Sequence, residues 1–217
     1  MTRTILLLIL IINFYSCQSQ TDKNYADDLN GCLLDTDIEL LNRATLHFEK
    51  LLAEHYENSK HNENFYSYLT TISSIQTKRS LKADFFLESK SIRILEEMEK
   101  AGTFDKIWTE FIENESEEET VIALQPGYEE PEKEKLELFV LNPNGMYIQC
   151  INQSPIRKEV KDVLNSQSEY GDVAPSIIAG ALRDAITESD LEKGLNKVII
   201  SIGFYYNIVN LLNKNPL

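Results

Sequence analysis

The chain has 217 residues, 42% of them hydrophobic, with ten Tyr, nine Phe and one Trp, and it carries a formal charge of −14. So much apolar material excludes a wholly disordered chain, and the length suits one sizeable domain. The acidity argues against a nucleic-acid partner, because phosphate backbones are repelled, and favours a basic protein partner.

Arg3 gives a positive start, Ile5 to Ile12 is an unbroken apolar run of eight residues, and Ser16 places a small residue directly before Cys17. This is the layout of a secretory signal peptide over residues 1–16. The run falls well short of the roughly 20 residues that a membrane-spanning helix needs. Phe14-Tyr15-Ser16-Cys17 resembles a lipobox, the site at which bacterial lipoproteins are cleaved before a cysteine that becomes acylated. The resemblance implies lipid on Cys17 and attachment to the bilayer through acyl chains, each buried methylene contributing about 0.8 kcal/mol. It also implies a place in the cell envelope. No dense acidic run follows Cys17, which points to the periplasmic side of the outer membrane. Loss of the leader removes Arg3 and leaves 201 residues carrying −15.

Residues 17–34 read as a lipidated tether: they are mostly polar, with Asp27-Asp28 and Asn30-Gly31 as breakers. If flexible, such a tether holds the domain about 20–25 Å from the membrane in root-mean-square terms. Residues 35–217 read as one folded domain. Asp35-Thr36-Asp37 opens a helix whose apolar stripe is Ile38, Leu41, Phe48, Leu51, Leu52 and Tyr56. Asp or Thr there caps the free amides, and acidic residues suit the positive end of the helix dipole. A calcium-loop reading of Asp35-x-Asp37 fails, because the further ligands and the glycine are not at the required places.

Phe65, Tyr66, Leu69, Ile72 and Ile75 predict a second helix over Glu63–Lys78, and Leu81–Leu87 is either a core-plugging loop or a short helical turn. Ser89 or Ser91 starts a third helix that Gly102 ends with a left-handed cap. Thr103 caps a fourth, carrying Phe104, Ile107, Trp108, Phe111 and Ile112. Beyond the acidic run Glu113–Glu119 and the Pro- and Glu-rich stretch Gly127–Lys135 the composition turns β-prone. Leu136–Leu141 and Met146–Ile151 are joined by Asn142-Pro143-Asn144-Gly145. Asn-Gly supplies the positive φ of a hairpin turn, so a β-hairpin is expected over about 136–152, with Val121–Leu124 as a possible third strand. Helices follow from Pro155 through Gln167 and from Ala174-Pro175. The longest runs from Thr187 or Ser189 to about Asn213, its seam being Leu191, Leu195, Val198, Ile202, Tyr205, Val209 and Leu212. A helix apolar nearly all round is a buried core helix. The expected class is mainly α, strictly α+β: a helical domain with a central β-hairpin or small antiparallel sheet packed on the helices.

Chemistry-bearing motifs are few. His47, His55 and His61 lack the i, i+4 spacing of a helical metal pair, no nucleotide-binding or nucleophile-elbow motif occurs, and no metal or cofactor is expected. No pair of carboxylates stands out as catalytic. Cys32 and Cys150 are left as either a disulfide, permitted in an exported protein, or two buried free thiols. The expected function is that of a membrane-anchored envelope lipoprotein, a non-enzymatic protein-binding or structural module, in a narrower form an inhibitor or immunity-type protein. The alternative is an envelope hydrolase using carboxylates that sequence does not single out.

Overall fold

The computed structural model describes residues 23–56, 60–74, 81–111, 137–170 and 173–215. The leader, Cys17, the acidic run, Val121–Leu124 and the stretch 127–135 lie outside these residues. In chain order come a 3-10 turn Asp27–Leu29, then α1 Asp35–Tyr56, α2 His61–Ser73, α3 Ala83–Phe86, α4 Ser89–Ala101 and α5 Phe104–Ile107. Strands β1 Trp108–Glu110 and β2 Phe139–Leu141 follow, then α6 Met146–Gln153, α7 Lys158–Tyr170 and α8 Pro175–Ala185. A 3-10 turn Glu188–Glu192 leads into α9, Gly194–Lys214, whose middle section Ser201–Tyr206 is π-helical. The class is mainly α with one small antiparallel sheet, as the sequence led us to expect.

The core lies where α1 meets α9. Every residue from Leu195 to Tyr206 is buried, so α9 is enclosed by protein although it is long and apolar enough to cross a membrane. Phe48 of α1 stacks on Tyr205 with ring centroids 4.4 Å apart, and it meets Phe65 and Tyr68 of α2 edge-on at 5.5 and 4.8 Å. Phe85 and Phe86 of α3 close over the far side of Tyr205. Offset and edge-on pairs of this kind add about 0.5–1.5 kcal/mol each beyond the area they bury. Leu81–Leu87 thus resolves into the short helix α3 that plugs the core.

The expected hairpin does not form. Met146–Ile151 is the greater part of helix α6, while β2 pairs instead with β1, in the register Trp108↔Leu141, Thr109↔Val140 and Glu110↔Phe139. Tyr147, Ile148, Cys150 and Ile151 are the buried residues of α6, at helical spacing. Every position of that stretch but Gln149 is apolar, so its sequence fits either period and packing decides. Gly145 does not adopt positive φ; its φ is −71°. Close approach requires it instead, because a Cβ there would lie 2.4 Å from the Lys106 carbonyl oxygen. The same pairing ends the fourth predicted helix early, at Ile107, with Trp108 beginning β1.

The tether is corrected as well. Tyr25, Ala26, Leu29 and Leu33 are buried, so the chain joins the core from Tyr25 onward instead of remaining free to residue 34. Gly31, at φ +80°, turns it, and the Ala26 amide donates to Asn42 Oδ1 at 2.9 Å. Gly194 admits the Tyr25 backbone, where a Cβ would approach Tyr25 Cα to 2.6 Å.

Smaller differences concern helix ends. α4 begins at Ser89, one of the two starts expected, and Glu88 caps it by accepting from the Lys90 and Ser91 amides. Gly102 ends that helix at φ 71°. The helix expected from Pro155 starts at Lys158 and continues past Ser168 to Tyr170. Thr187 and Asp190 form a capping box, yet only on the 3-10 turn; the chain breaks at Lys193 before α9 begins. At 22 residues, α1 therefore exceeds α9 at 21.

Candidate functional site

Three clusters of buried polar side chains converge on α1, each linking it to segments far away in sequence. The first holds a carboxylate. Glu49 is 3% exposed and accepts from Lys23 Nζ and from Tyr25 Oη, each at 2.6 Å, and from Lys197 Nζ at 3.2 Å. Burial alone would raise its pKa, but the bonds from Lys23 and Tyr25 and the charge of Lys197 hold it below the usual carboxylate range. Burial, reinforced by the bond to Glu49, pushes the Tyr25 phenol far upward, so it stays a donor. Lys197 also lies 5.5 Å from the centre of the Phe65 ring, a cation–π contact.

The second cluster sits near the start of α1. Asp37, 1% exposed, accepts from both Lys106 Nζ contacts, 2.9 and 2.7 Å, from Thr103 Oγ1 at 2.7 Å and from the Leu34 amide at 3.1 Å. Burial opposes its ionisation, and these donors outweigh it, so its pKa is lowered. Asp37 thus serves as an anchor for α5 and reaches back to cap its own helix, leaving no free oxygen face of the kind a calcium loop presents.

The third cluster comes nearest to enzyme chemistry, because it contains a histidine, a serine and a glutamate. His47 Nε2 lies 2.9 Å from Glu88 Oε2 and 3.0 Å from Ser91 Oγ; Ser91 Oγ is 2.7 Å from Tyr205 Oη, which is 3.2 Å from the Phe85 carbonyl oxygen. The hydrogens can be assigned by elimination. A carbonyl only accepts, so Tyr205 donates to Phe85; the Tyr205 oxygen then accepts from Ser91, and the Ser91 oxygen accepts from His47 Nε2–H. The nearby carboxylate demands the same tautomer. A nucleophilic serine needs the opposite wiring, with its proton aimed at an unprotonated imidazole nitrogen whose other nitrogen faces the carboxylate. Ser91 is moreover fully buried. Burial lowers the His47 pKa, helped by Lys90 and Lys50 and opposed by Glu88, so the imidazole is neutral near pH 7. The cluster joins α1, α3, α4 and α9 in one hydrogen-bonded chain.

Cys32 and Cys150 are disulfide-bonded, with Cα atoms 5.7 Å apart, tying the N-terminal segment to α6. His55 is exposed and packs its ring on Tyr56 and Phe85, and His61 is exposed at the start of α2. Among the described residues no three His, Cys, Asp or Glu side chains gather as a metal site would require.

No family model, no curated protein and no solved structure matches this chain. Open concavities remain on the surface: a polar groove of about 610 Å³ beside Lys23, Asp27, Asp35, Glu39 and Arg43, and a shallow one of about 700 Å³ between Tyr66 and Arg183. An apolar cleft of about 160 Å³ lies between β2 and the π-helical section of α9. Among the described residues no histidine lines any of these, and the Glu49 cluster reaches the polar groove only through Lys23. The sequence left Cys32 and Cys150 open between a disulfide and two free thiols, and they are bonded, whereas the Glu49 and His47 clusters have no signature in it. Their members lie up to 148 residues apart, and nothing local marks them.

Proposed function

We propose that the protein is a lipid-anchored envelope protein, held at a bacterial membrane through acylated Cys17 and acting by binding another protein, not by catalysis. The observation that carries this is Phe14-Tyr15-Ser16-Cys17 after a short apolar run. The Cys32–Cys150 bond fits an oxidising, exported setting. The enclosure of α9 supports the same reading, since its apolar surface is used within the protein and attachment falls to Cys17. The side of residence is the periplasmic face of the outer membrane. A charge of −15 on the mature chain suits a basic protein partner, such as a toxin or enzyme that the domain covers, because opposite charge speeds association.

Metabolic labelling with palmitate tests the anchor: label on the wild type, with loss of label and transfer to the soluble fraction for Cys17→Ser, is expected. An unlabelled wild-type chain would refute it. Partner binding is tested by recovery from envelope extracts at low salt and release at high salt. The hydrolase alternative rested on carboxylates; the closeness of His47 and Ser91 offers it a serine instead, and a fluorophosphonate that labels Ser91 would support it, whereas with the present wiring Ser91 stays unlabelled.

A further inference from the structure

The point at which the chain enters the fold sets how the domain sits on a membrane. Lys23 is bonded to buried Glu49, Tyr25 and Ala26 are in the core, and Cys32 is covalently fixed to α6. Five residues separate Cys17 from Lys23. At 3.3–3.6 Å per residue their covalent reach is about 20 Å, against about 60 Å had the chain been free to Leu34. The face next to Lys23 carries exposed Asn24, Asp27, Asn30, Asp35 and Glu39 around the polar groove, with Leu34 63% exposed beside it.

Resting on lipid anchoring at Cys17, we propose that this face is the membrane-docking surface of the domain and that it lies against zwitterionic phospholipid head groups. A leash so short confines the attachment point near the bilayer whatever the rest of the surface prefers. Lys23 and Arg43 stand among three carboxylates on the groove wall. Mixed charge of this kind matches head groups bearing both phosphate and ammonium, whereas a strongly acidic domain is repelled by anionic lipid. A partner would then meet the domain from the side or from above, with the groove directed to the membrane.

The test uses the mature chain from Cys17, which retains every described element. With Cys32 and Cys150 bonded, Cys17 is its free thiol and can be coupled to a maleimide-bearing lipid in phosphatidylcholine–phosphatidylethanolamine vesicles. Carbodiimide labelling of carboxylates is then read by mass spectrometry. Coupling should lower labelling of Asp27, Asp35 and Glu39 about threefold relative to uncoupled chain mixed with the same vesicles, because tethering raises the local concentration of lipid. Asp184 and Glu188 should be unchanged. Inserting about twenty Gly and Ser residues before Lys23 should restore labelling, since the effective concentration falls as a flexible linker lengthens. Equal labelling of both groups, or protection moved to Asp184 and Glu188, would overturn the proposal. An unlabelled Cys17 in cells would instead defeat the anchor, so the two failures are told apart.

Discussion

Glu49 and His47 stand two residues apart on α1, both buried, and they meet the cost of a buried titratable group in opposite ways. Glu49 keeps its charge because two ammonium groups and a phenol surround it. His47 gives its charge up, because the one carboxylate beside it does not outweigh burial and two neighbouring lysines. Burying an ion costs several kcal/mol unless partners replace the lost water. The difference teaches that α1 is fastened twice by different means: an ionic clasp holds the N-terminal segment and α9, and a hydrogen-bonded chain through an uncharged imidazole holds α3, α4 and α9.

The two fastenings can be broken separately. The largest effect belongs to the covalent member of the N-terminal clasp: removing the Cys32–Cys150 bond, which spans 118 positions, should cost about 4–5 kcal/mol in the chain-entropy account. Urea denaturation of the Cys32→Ser, Cys150→Ser chain measures it. Next comes Glu49→Ala, which strands Lys197 in the interior and should cost about 3–5 kcal/mol by the same measurement. Glu49→Leu should lose less if the loss reflects the stranded lysine only in part.

Acid sharpens the contrast between the clusters. The His47 pKa is lowered on folding, so between it and the ordinary value near 6.5 the unfolded chain binds more protons than the native one. Stability is therefore full above about pH 6.5 and falls as pH drops below it, by at most about 1.4 kcal/mol per pH unit. The pKa values of Glu49 and Asp37 are lowered as well, so their contribution is present above the unfolded carboxylate range, near pH 4, and disappears as pH falls through their folded values. His47→Gln should flatten the stability curve just below pH 6.5 while leaving the decline below about pH 4 in place. A curve unchanged in the upper range would show that His47 is not the group titrating there.

The smallest effect is expected at Lys23, which is 48% exposed. Lys23→Ala leaves Glu49 with Lys197 and Tyr25 and should cost less than about 1 kcal/mol, as half-exposed ion pairs do. A loss as large as that of Glu49→Ala would mean that the clasp depends on its outer cation and not on Lys197.

What could be read from the sequence was what repeats locally. The stripe of α1, the cap at Gly102 and the enclosure of α9 follow from helical spacing and from a helix apolar on every side. Two stretches misled for opposite reasons. Met146–Ile151 is apolar at every position but Gln149, so no period in it separates strand from helix, and its fate is set by Trp108–Glu110 taking the edge of β2. Residues 23–34 look polar because their four buried side chains, Tyr25, Ala26, Leu29 and Leu33, are diluted by Asp and Asn facing water. Gly194, which admits the backbone at Tyr25, lies far along the chain. The buried clusters were invisible for the same reason: a glutamate satisfied by lysines 26 positions before it and 148 after it has no signature in its own neighbourhood.

The π-helical section Ser201–Tyr206 has a consequence for tolerance to change. Wide turns of this kind behave as an α-helix that has accepted one surplus residue, and all six residues of the section are buried, as are Leu195–Ile200 before it. Deleting a single residue there would let the section close into ordinary turns while the turns on either side keep their facing, so Val209 stays in the core and Asn213 at the surface. The same deletion in the α-helical turns on either side has no surplus to absorb it and would rotate everything beyond it by about 100° about the axis. The irregularity is thus a place in α9 where a change of length leaves the phase of both flanking sections intact.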